Sequence, residues 1–282
     1  MIYIYKIGLD NYLQNDKFID RNSGLFEYQI IAKELQDIDT ERSIMILING
    51  KCSNDEESRI LAFMKQFDTV VFVASDIIAF SDNKRLIENS DYLLHQRPEG
   101  YIDEYNHIKQ RYSWIPELFY KYTKPACSST SKLQRIIFGG GVRDNEKLIN
   151  EYLNSTASTA YVKTEAYDNR LDYMNYLNEL SKHKYSLIVS RKAYSEIGWV
   201  TARYAEALAV NTLPICDKDY DSNNHYRTIR VFEPTDLATV INMFNDNDDY
   251  YTATLLDMKN TIAKNVGNFK KLIIRICRGV SW

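Results

Sequence analysis

The sequence predicts an α/β protein built from two parallel-sheet domains in tandem. Three observations lead there. Strand-like and helix-like segments alternate through the first half of the chain. A stretch rich in Ser, Thr and Pro, residues 121–134, then interrupts the pattern. Beyond it the alternation restarts and continues nearly to the end.

Element by element, Ile2 to Ile7 reads as a first strand. Phe26 to Leu35 has apolar residues at helical spacing, and Ser43 to Ile48 is a β-branched run. Glu56 to Phe67 reads as a helix, Thr69 to Ala74 as a buried strand, and Tyr92 to Leu94 as a further short one. This is the pattern of a doubly wound parallel sheet. After the interruption, Arg135 to Phe138 is a strand and Asp144 to Leu153 a helix. Ala160 to Val162 is a short strand, Tyr173 to Ser181 a helix and Tyr185 to Ser190 a strand. A helix carrying Arg203 and Glu206 follows, then a strand from Thr212 to Cys216. In the last segment Phe269, Leu272, Ile273 and Ile276 fall at i, i+3, i+4, i+7, with Lys271, Arg275 and Arg278 on another face. The expected domains are residues 1–124 and 132–262, with 263–282 as a terminal helix that packs back on the first. Ligands of open α/β sheets bind beyond the carboxyl ends of strands. Two such domains therefore imply a cleft between facing sheets that holds a donor and an acceptor together.

Composition narrows the class. The 282 residues suffice for one large domain or two ordinary ones, and 45% apolar content suffices for real cores. A net charge of −3 argues against wholesale coating of nucleic acid but leaves room for a local basic face. No apolar run reaches the length of a membrane span. The N-terminus lacks the basic start and cleavage site of a signal peptide. Cys52, Cys127, Cys216 and Cys277 are widely spaced and read as reduced, which fits a cytoplasm. His95, His107, His183 and His225 show no paired spacing, so no zinc site is expected. The abundance of Tyr, Asn, Lys, Ile and Asp suggests an AT-rich genome and hints at a phage.

Three motifs carry chemistry. In Val200-Thr-Ala-Arg-Tyr-Ala-Glu206, Arg203 and Glu206 share a helix face. A carboxylate there takes both hydroxyls of a ribose, and an arginine beside it holds a diphosphate; the other reading is an ordinary intrahelical ion pair. In Ile136-Ile-Phe-Gly-Gly-Gly-Val-Arg-Asp-Asn-Glu-Lys147, Gly139, Gly140 and Gly141 follow a strand and open a helix. Arg143 and Lys147 stand where the helix dipole favours an anion. That conflict suggests a bound diphosphate, against the alternative of a tight turn with solvated cations. In Val70-Val-Phe-Val-Ala-Ser-Asp76, Asp76 lies just past the carboxyl end of an apolar strand. It suits a general base or a cap on the next turn, and position alone favours the cap.

These motifs, in order and on two domains, resemble the T-even phage DNA β-glucosyltransferases, two-domain GT-B enzymes with Rossmann-like halves. That family transfers glucose from UDP-glucose to 5-hydroxymethylcytosine in duplex DNA. Phe138-Gly-Gly-Gly-Val-Arg143 resembles its strand-Gly-Gly-Ser-x-Arg loop, with Lys147 in place of a second arginine. Val200 to Glu206 resembles its Ile-Thr-Leu-Arg-x-x-Glu, which holds diphosphate through Arg and ribose through Glu. Tyr194 falls near a tyrosine flanking that site. Ser75-Asp-Ile-Ile-Ala-Phe-Ser81 resembles Thr-Asp-Ile-Arg-Leu-Pro-Phe-Ser, whose Asp is the catalytic base. Asn49 matches an acceptor-side polar loop, and Trp114-Ile-Pro116 resembles the segment before the family's linker. The chain departs from the family in being shorter. The loop Gly50-Lys-Cys-Ser-Asn-Asp55 lacks its aromatic residues, and the family's N-terminal glutamate near the sugar has no matching motif here, with Ser23 and Glu27 the residues of that region.

The resemblance implies a UDP-sugar-dependent transferase acting on 5-hydroxymethylcytosine in phage duplex DNA. Asp76 is then the base of a direct displacement on a flipped base. Gly139, Gly140, Gly141, Arg143, Lys147, Tyr194, Arg203 and Glu206 form the donor site. Asn49, Lys51, Arg97, Lys271 and Arg275 are the expected DNA contacts, with Arg278 beside them; a solvated helix end is the other reading of the last group. The donor is UDP-glucose or a UDP-pentose such as UDP-arabinose. No motif requires a divalent metal, although Mg or Mn would aid release of UDP. The implied protein is a monomer in the cytoplasm of an infected bacterium. The alternative is a GT-B transferase acting on an already glycosylated base or a non-DNA glycan.

Overall fold

The computed structural model describes residues 1–8, 23–123, 132–140, 145–156, 159–163 and 173–279. The chain divides into two compact units, Met1–Leu118 with Val266–Trp282, and Phe119–Asn265. Among the described residues each holds one five-stranded sheet whose strand pairs are all parallel.

In the first unit the strands are β1 Ile2–Lys6, β2 Ile44–Ile48, β3 Thr69–Ala74, β4 Tyr92–His95 and β5 Lys109–Tyr112, adjacent in that order. β2 and β3 are buried at every position. That is why both read as unbroken apolar runs: helices and loops cover both faces of a parallel sheet. Between the strands lie α1 Ser23–Leu35, α2 Asn54–Met64, α3 Ala79–Asp82 and α4 Lys84–Glu88. The second of these begins two residues before the expected Glu56, because Ser53 caps it. The Ser53 hydroxyl accepts the Glu56 amide at 3.2 Å, and Asp55, Glu56 and Glu57 suit the positive end of the dipole. β5 has the sequence Lys-Gln-Arg-Tyr and was invisible to an apolar search. Among the described strands it pairs with β4 alone, at the sheet edge, where charge is tolerated and useful.

Helix α5 Ile115–Tyr122 carries the chain toward the second unit. There β6 Leu133–Gly140, β7 Thr159–Lys163, β8 His183–Ile188, β9 Leu213–Asp217 and β10 Ile229–Val231 lie in the order β10-β9-β8-β6-β7. The connecting helices are α6 Glu146–Asn154, α7 Tyr173–Ser181, α8 Lys192–Ser195 and α9 Arg203–Ala209, followed by α10 Asp236–Asn245 and α11 Asp248–Ala263. The last helix, α12 Asn268–Arg278, buries Phe269, Leu272, Ile273 and Ile276 and packs against α1 within the first unit.

Strand order locates the ligand edge of the second sheet. From β6 the chain adds β7 on one side, then crosses back to add β8, β9 and β10 on the other. The crevice beyond the carboxyl ends of β6 and β8 is the switch point, where an open sheet leaves room for a ligand. In the first unit the described strands advance without reversal, and register alone aligns their carboxyl ends. Lys6 lies beside Ile48, Ile48 beside Val73, and Ala74 beside His95.

Below the second sheet Lys132 joins several elements. Its Nζ donates to the carbonyls of Ser181 at 2.7 Å, Val210 at 3.1 Å and His183 at 3.2 Å, and to Thr212 Oγ1 at 3.0 Å. Two of these carbonyls end α7 and α9, where the helix dipole favours a cation. Burial lowers the Lys132 pKa to about 8, and Lys259 adds to the fall.

Candidate functional site

The second unit offers the first candidate, at the switch point. The glycines after β6 divide in role. Gly139 is still within the strand, paired with Val162. A Cβ added there would lie 2.6 Å from Tyr176 Cε2. The missing side chain therefore makes room for a tyrosine ring rather than for a ligand. Gly140 ends the strand; Gly141 and Arg143 lie outside the described residues.

Tyr176 and Tyr173, one turn apart on α7, both hydrogen bond Glu206 on α9. Burial pushes both phenols well above their ordinary range, with the Glu206 charge adding to it, so they remain protonated donors. Tyr173 is fixed in turn by Thr123, hydroxyl to hydroxyl at 3.2 Å. Glu206 is thus buried and held in a defined orientation. The alternative of an intrahelical ion pair is not what the structure contains. Among the described residues, Arg203 has no carboxylate within ion-pair distance. It is half-buried and lies near Tyr176 and Tyr220. A half-buried guanidinium with no carboxylate partner among the described residues is available to pair with an anion.

The loop after β8 supplies residues that the motif search missed. Arg191 stands at the start of α8 with its guanidinium 5.7 Å from the centre of the Tyr194 ring. Buried Trp199 anchors this turn through its amide on the Tyr194 carbonyl at 2.8 Å. Asn145, just before α6, donates its side-chain amide to the Ser190 carbonyl at 2.6 Å. The Ser190 amide bonds Asp217 at 2.9 Å, and Asp217 also accepts the Tyr220 amide at 2.9 Å. Asn145, Ser190, Asp217 and Tyr220 therefore tie together the loops that follow β6, β8 and β9. Burial raises the Asp217 pKa to about 7, partly offset by the amides it accepts. The signal for Arg191 was its place in the first turn after a buried strand. The signal for Tyr173 and Tyr176 was their i, i+3 spacing. Lys147 is different: its side chain is 93% exposed and only loosely paired with Glu151 at 3.9 Å.

The first unit offers the second candidate, at the carboxyl ends of β1, β2 and β3. Asp76 is half-buried there, and its Oδ1 accepts the Ile78 amide at 3.2 Å, so it does serve the next turn. Lys6, at the end of β1, is buried and donates to the Asn49 carbonyl. Burial pulls the Lys6 pKa down, while the charges of Glu27 and Asp76 pull it up. Of Ser23 and Glu27, Glu27 is the one whose side chain is described. It is buried and meets the Ser75 hydroxyl at 2.5 Å.

The expected DNA contacts are not gathered on one face. Asn49 is buried, and its Oδ1 is occupied by the Ser75 amide at 2.7 Å and hydroxyl at 2.6 Å. Lys51 is exposed near the same edge. Arg97 is folded onto its own loop, with Nη1 on the Tyr101 carbonyl at 2.7 Å and Nε 3.4 Å from Glu99. Lys271 and Arg275 are exposed on α12. The end of that helix lies beside Thr40, Arg42 and the N-terminal amine, at the amino edge of the first sheet and opposite Asp76.

No protein-family model and no curated protein sequence matches the chain. Solved structures do. The phage T4 protein BGT in complex with UDP and Mn2+ superposes with a TM-score of 0.70 at 12% identity, over 98% of this chain and 99% of its own. An α1,3-fucosyltransferase gives 0.54 at 13% identity, covering 97% of this chain and 90% of that one. The E. coli trehalose-6-phosphate protein bound with UDP-2-fluoro glucose gives 0.52 at 9% identity, covering 97% and 82%. At these identities the likeness establishes the fold, an α/β GT-B architecture with two Rossmann-like units.

Proposed function

We propose that this protein is a UDP-sugar-dependent glycosyltransferase that modifies 5-hydroxymethylcytosine in duplex DNA. The observation that carries the donor half is Arg203. It is half-buried at the switch point, has no carboxylate partner among the described residues, and stands one turn from a Glu206 oriented by two phenols. A nucleoside diphosphate answers both features: its phosphates neutralise Arg203 and its ribose hydroxyls meet Glu206. Arg191 adds positive charge beside the leaving diphosphate and Tyr194 flanks it. The phage T4 neighbour solved with UDP and the E. coli neighbour solved with UDP-2-fluoro glucose support the same donor class.

For the acceptor half, the Asp76 carboxylate takes the proton of the hydroxymethyl group. The freed oxygen attacks the anomeric carbon as the bond to UDP breaks, and UDP leaves with the electron pair. Arg203 stabilises charge where it grows in the transition state. One displacement inverts the anomeric centre. A base inside a stacked duplex must be extruded to reach Asp76. Among the described residues no group of three His, Cys, Asp or Glu side chains stands together to ligate a metal.

The test is incubation with hydroxymethylcytosine duplex DNA and a panel of UDP-sugars, then nucleoside mass spectrometry. A hexose or pentose increment supports the reading and names the sugar class. Asp76→Asn is expected to lower turnover at least a hundredfold while retaining UDP binding. UDP binding without any DNA product redirects the acceptor to a glycosylated base or a glycan. No UDP binding at all refutes the donor site.

A further inference from the structure

The oxygens around Ser75 set a proton count. Ser75 Oγ lies 2.5 Å from Glu27 Oε2 and 2.6 Å from Asn49 Oδ1. The Asn49 amide cannot be turned, because its Oδ1 also accepts the Ser75 amide at 2.7 Å. Two short oxygen–oxygen contacts therefore need two protons, and a serine hydroxyl has one. If Ser75 donates to Glu27, two acceptor oxygens are left facing each other at 2.6 Å. If it donates to Asn49, the contact with Glu27 needs a proton from the Glu27 carboxyl. Only the second arrangement places a proton in both contacts.

From this geometry we infer that Glu27 rests protonated at neutral pH. It acts as a positioning residue, donating to Ser75 and so fixing the turn that presents Asp76. The inference deepens the acceptor half of the reading above and rests on it for its kinetic consequence only. Independent features agree. Among the described residues no Lys or Arg nitrogen lies within ion-pair distance of Glu27, and Lys6 donates a hydrogen bond to the Asn49 backbone carbonyl. Burial raises the Glu27 pKa; Lys6 and the Ser75 hydrogen bond oppose the rise, and Asp76 adds to it. The charged neighbours are thus Lys6 from β1 and Asp76 from the turn after β3. His95, at the end of β4, is kept neutral by burial, its pKa lowered to about 3. With Glu27 neutral, the Lys6 ammonium balances Asp76 alone, and Asp76 is the carboxylate left to accept a proton.

As pH rises through the elevated Glu27 pKa, the carboxyl ionises and the contact with Ser75 loses its proton. The Asp76 turn then loosens, which appears as an alkaline fall in kcat. Glu27→Gln retains a donor toward Ser75 and cannot ionise, whereas Glu27→Ala retains neither. Carbon-13 NMR of side-chain-labelled glutamate, assigned by difference with E27Q, reads the proton directly on the full chain. The expected result is a protonated Glu27 carboxyl at pH 7 that titrates above it; an ionised carboxylate at pH 7 overturns the inference. In kinetics, E27Q is expected within threefold of the parent kcat with the alkaline fall removed, and E27A at least tenfold lower with KM for the donor unchanged. An E27Q variant as impaired as E27A also overturns it. If no UDP-sugar and DNA pair is turned over, the transferase reading fails and the NMR titration still decides the proton.

Discussion

Gly139→Ala tests the packing beneath the donor site. The new Cβ would stand 2.6 Å from Tyr176 Cε2, with Cδ2 at 3.4 Å and Cζ at 3.5 Å. Carbon atoms settle at about 3.5–4.0 Å, so one ring edge must retreat by roughly 1 Å. Strand β6 is held on both sides by β7 and β8, which leaves the ring to move. Overpacking of this kind costs about 1–3 kcal/mol. A ring displaced by that much carries its hydroxyl away from Glu206, and a hydrogen bond to a charged group contributes about 1.5–3 kcal/mol. Calorimetry with UDP should therefore show at least a tenfold weaker Kd, about 1.4 kcal/mol, beside a lowered Tm. Tyr176→Phe separates the two effects: it removes the hydroxyl and leaves the ring, so it should weaken UDP without the steric penalty. In a Tyr176→Ala background, Gly139→Ala should cost little more stability. Unchanged Tm and unchanged UDP affinity in Gly139→Ala would refute the reasoning.

The remaining predictions concern charge. Arg203→Lys exchanges a planar fork for a point charge and should raise the Kd for UDP tenfold or more by calorimetry, whereas Lys147→Ala, at a 93% exposed side chain, should change it less than threefold. The folded Asp217 pKa of about 7 stands above its ordinary 3.8, so its contribution to stability is complete at low pH and is lost as pH rises through 7. Asp217→Asn should flatten the fall of Tm between pH 4 and pH 7, a slope of at most about 1.4 kcal/mol per pH unit; equal slopes in both proteins would contradict the assignment.

Buried parallel strands were legible because burial on both faces leaves an apolar run, as in β2 and β3. Two of the edge strands, β5 and β10, were not: Lys109–Tyr112 carries two charges in four residues, and Ile229–Val231 is only three long. The helix face shared by Arg203 and Glu206 could be read from spacing. What those side chains do could not, because the partners of Glu206 are tyrosines about thirty residues earlier on a different helix. A run of glycines suggests close approach of a ligand, yet only a three-dimensional neighbour reveals that Tyr176 fills the space beside Gly139. The basic stripe on α12 was visible as a pattern. Its position at the amino edge of the first sheet depends on how the chain returns after the second unit, which local sequence does not encode.

Lys132 has a consequence for how the second unit tolerates change. Helix α7 bears Tyr173 and Tyr176, helix α9 bears Arg203 and Glu206, and both end on this one ammonium. Ser181 lies about 12 Å along α7 from Tyr173 and about 7 Å from Tyr176, so the fastening stands at the carboxyl end of the helix and the phenols in its first turns. The two helices behave as the legs of a pair of dividers with Lys132 as the rivet. Any play at the rivet is read out as a change of gap at the points, between phenol and carboxylate. The aperture between the legs is thus set in part from the amino end of β6, away from the ligand edge.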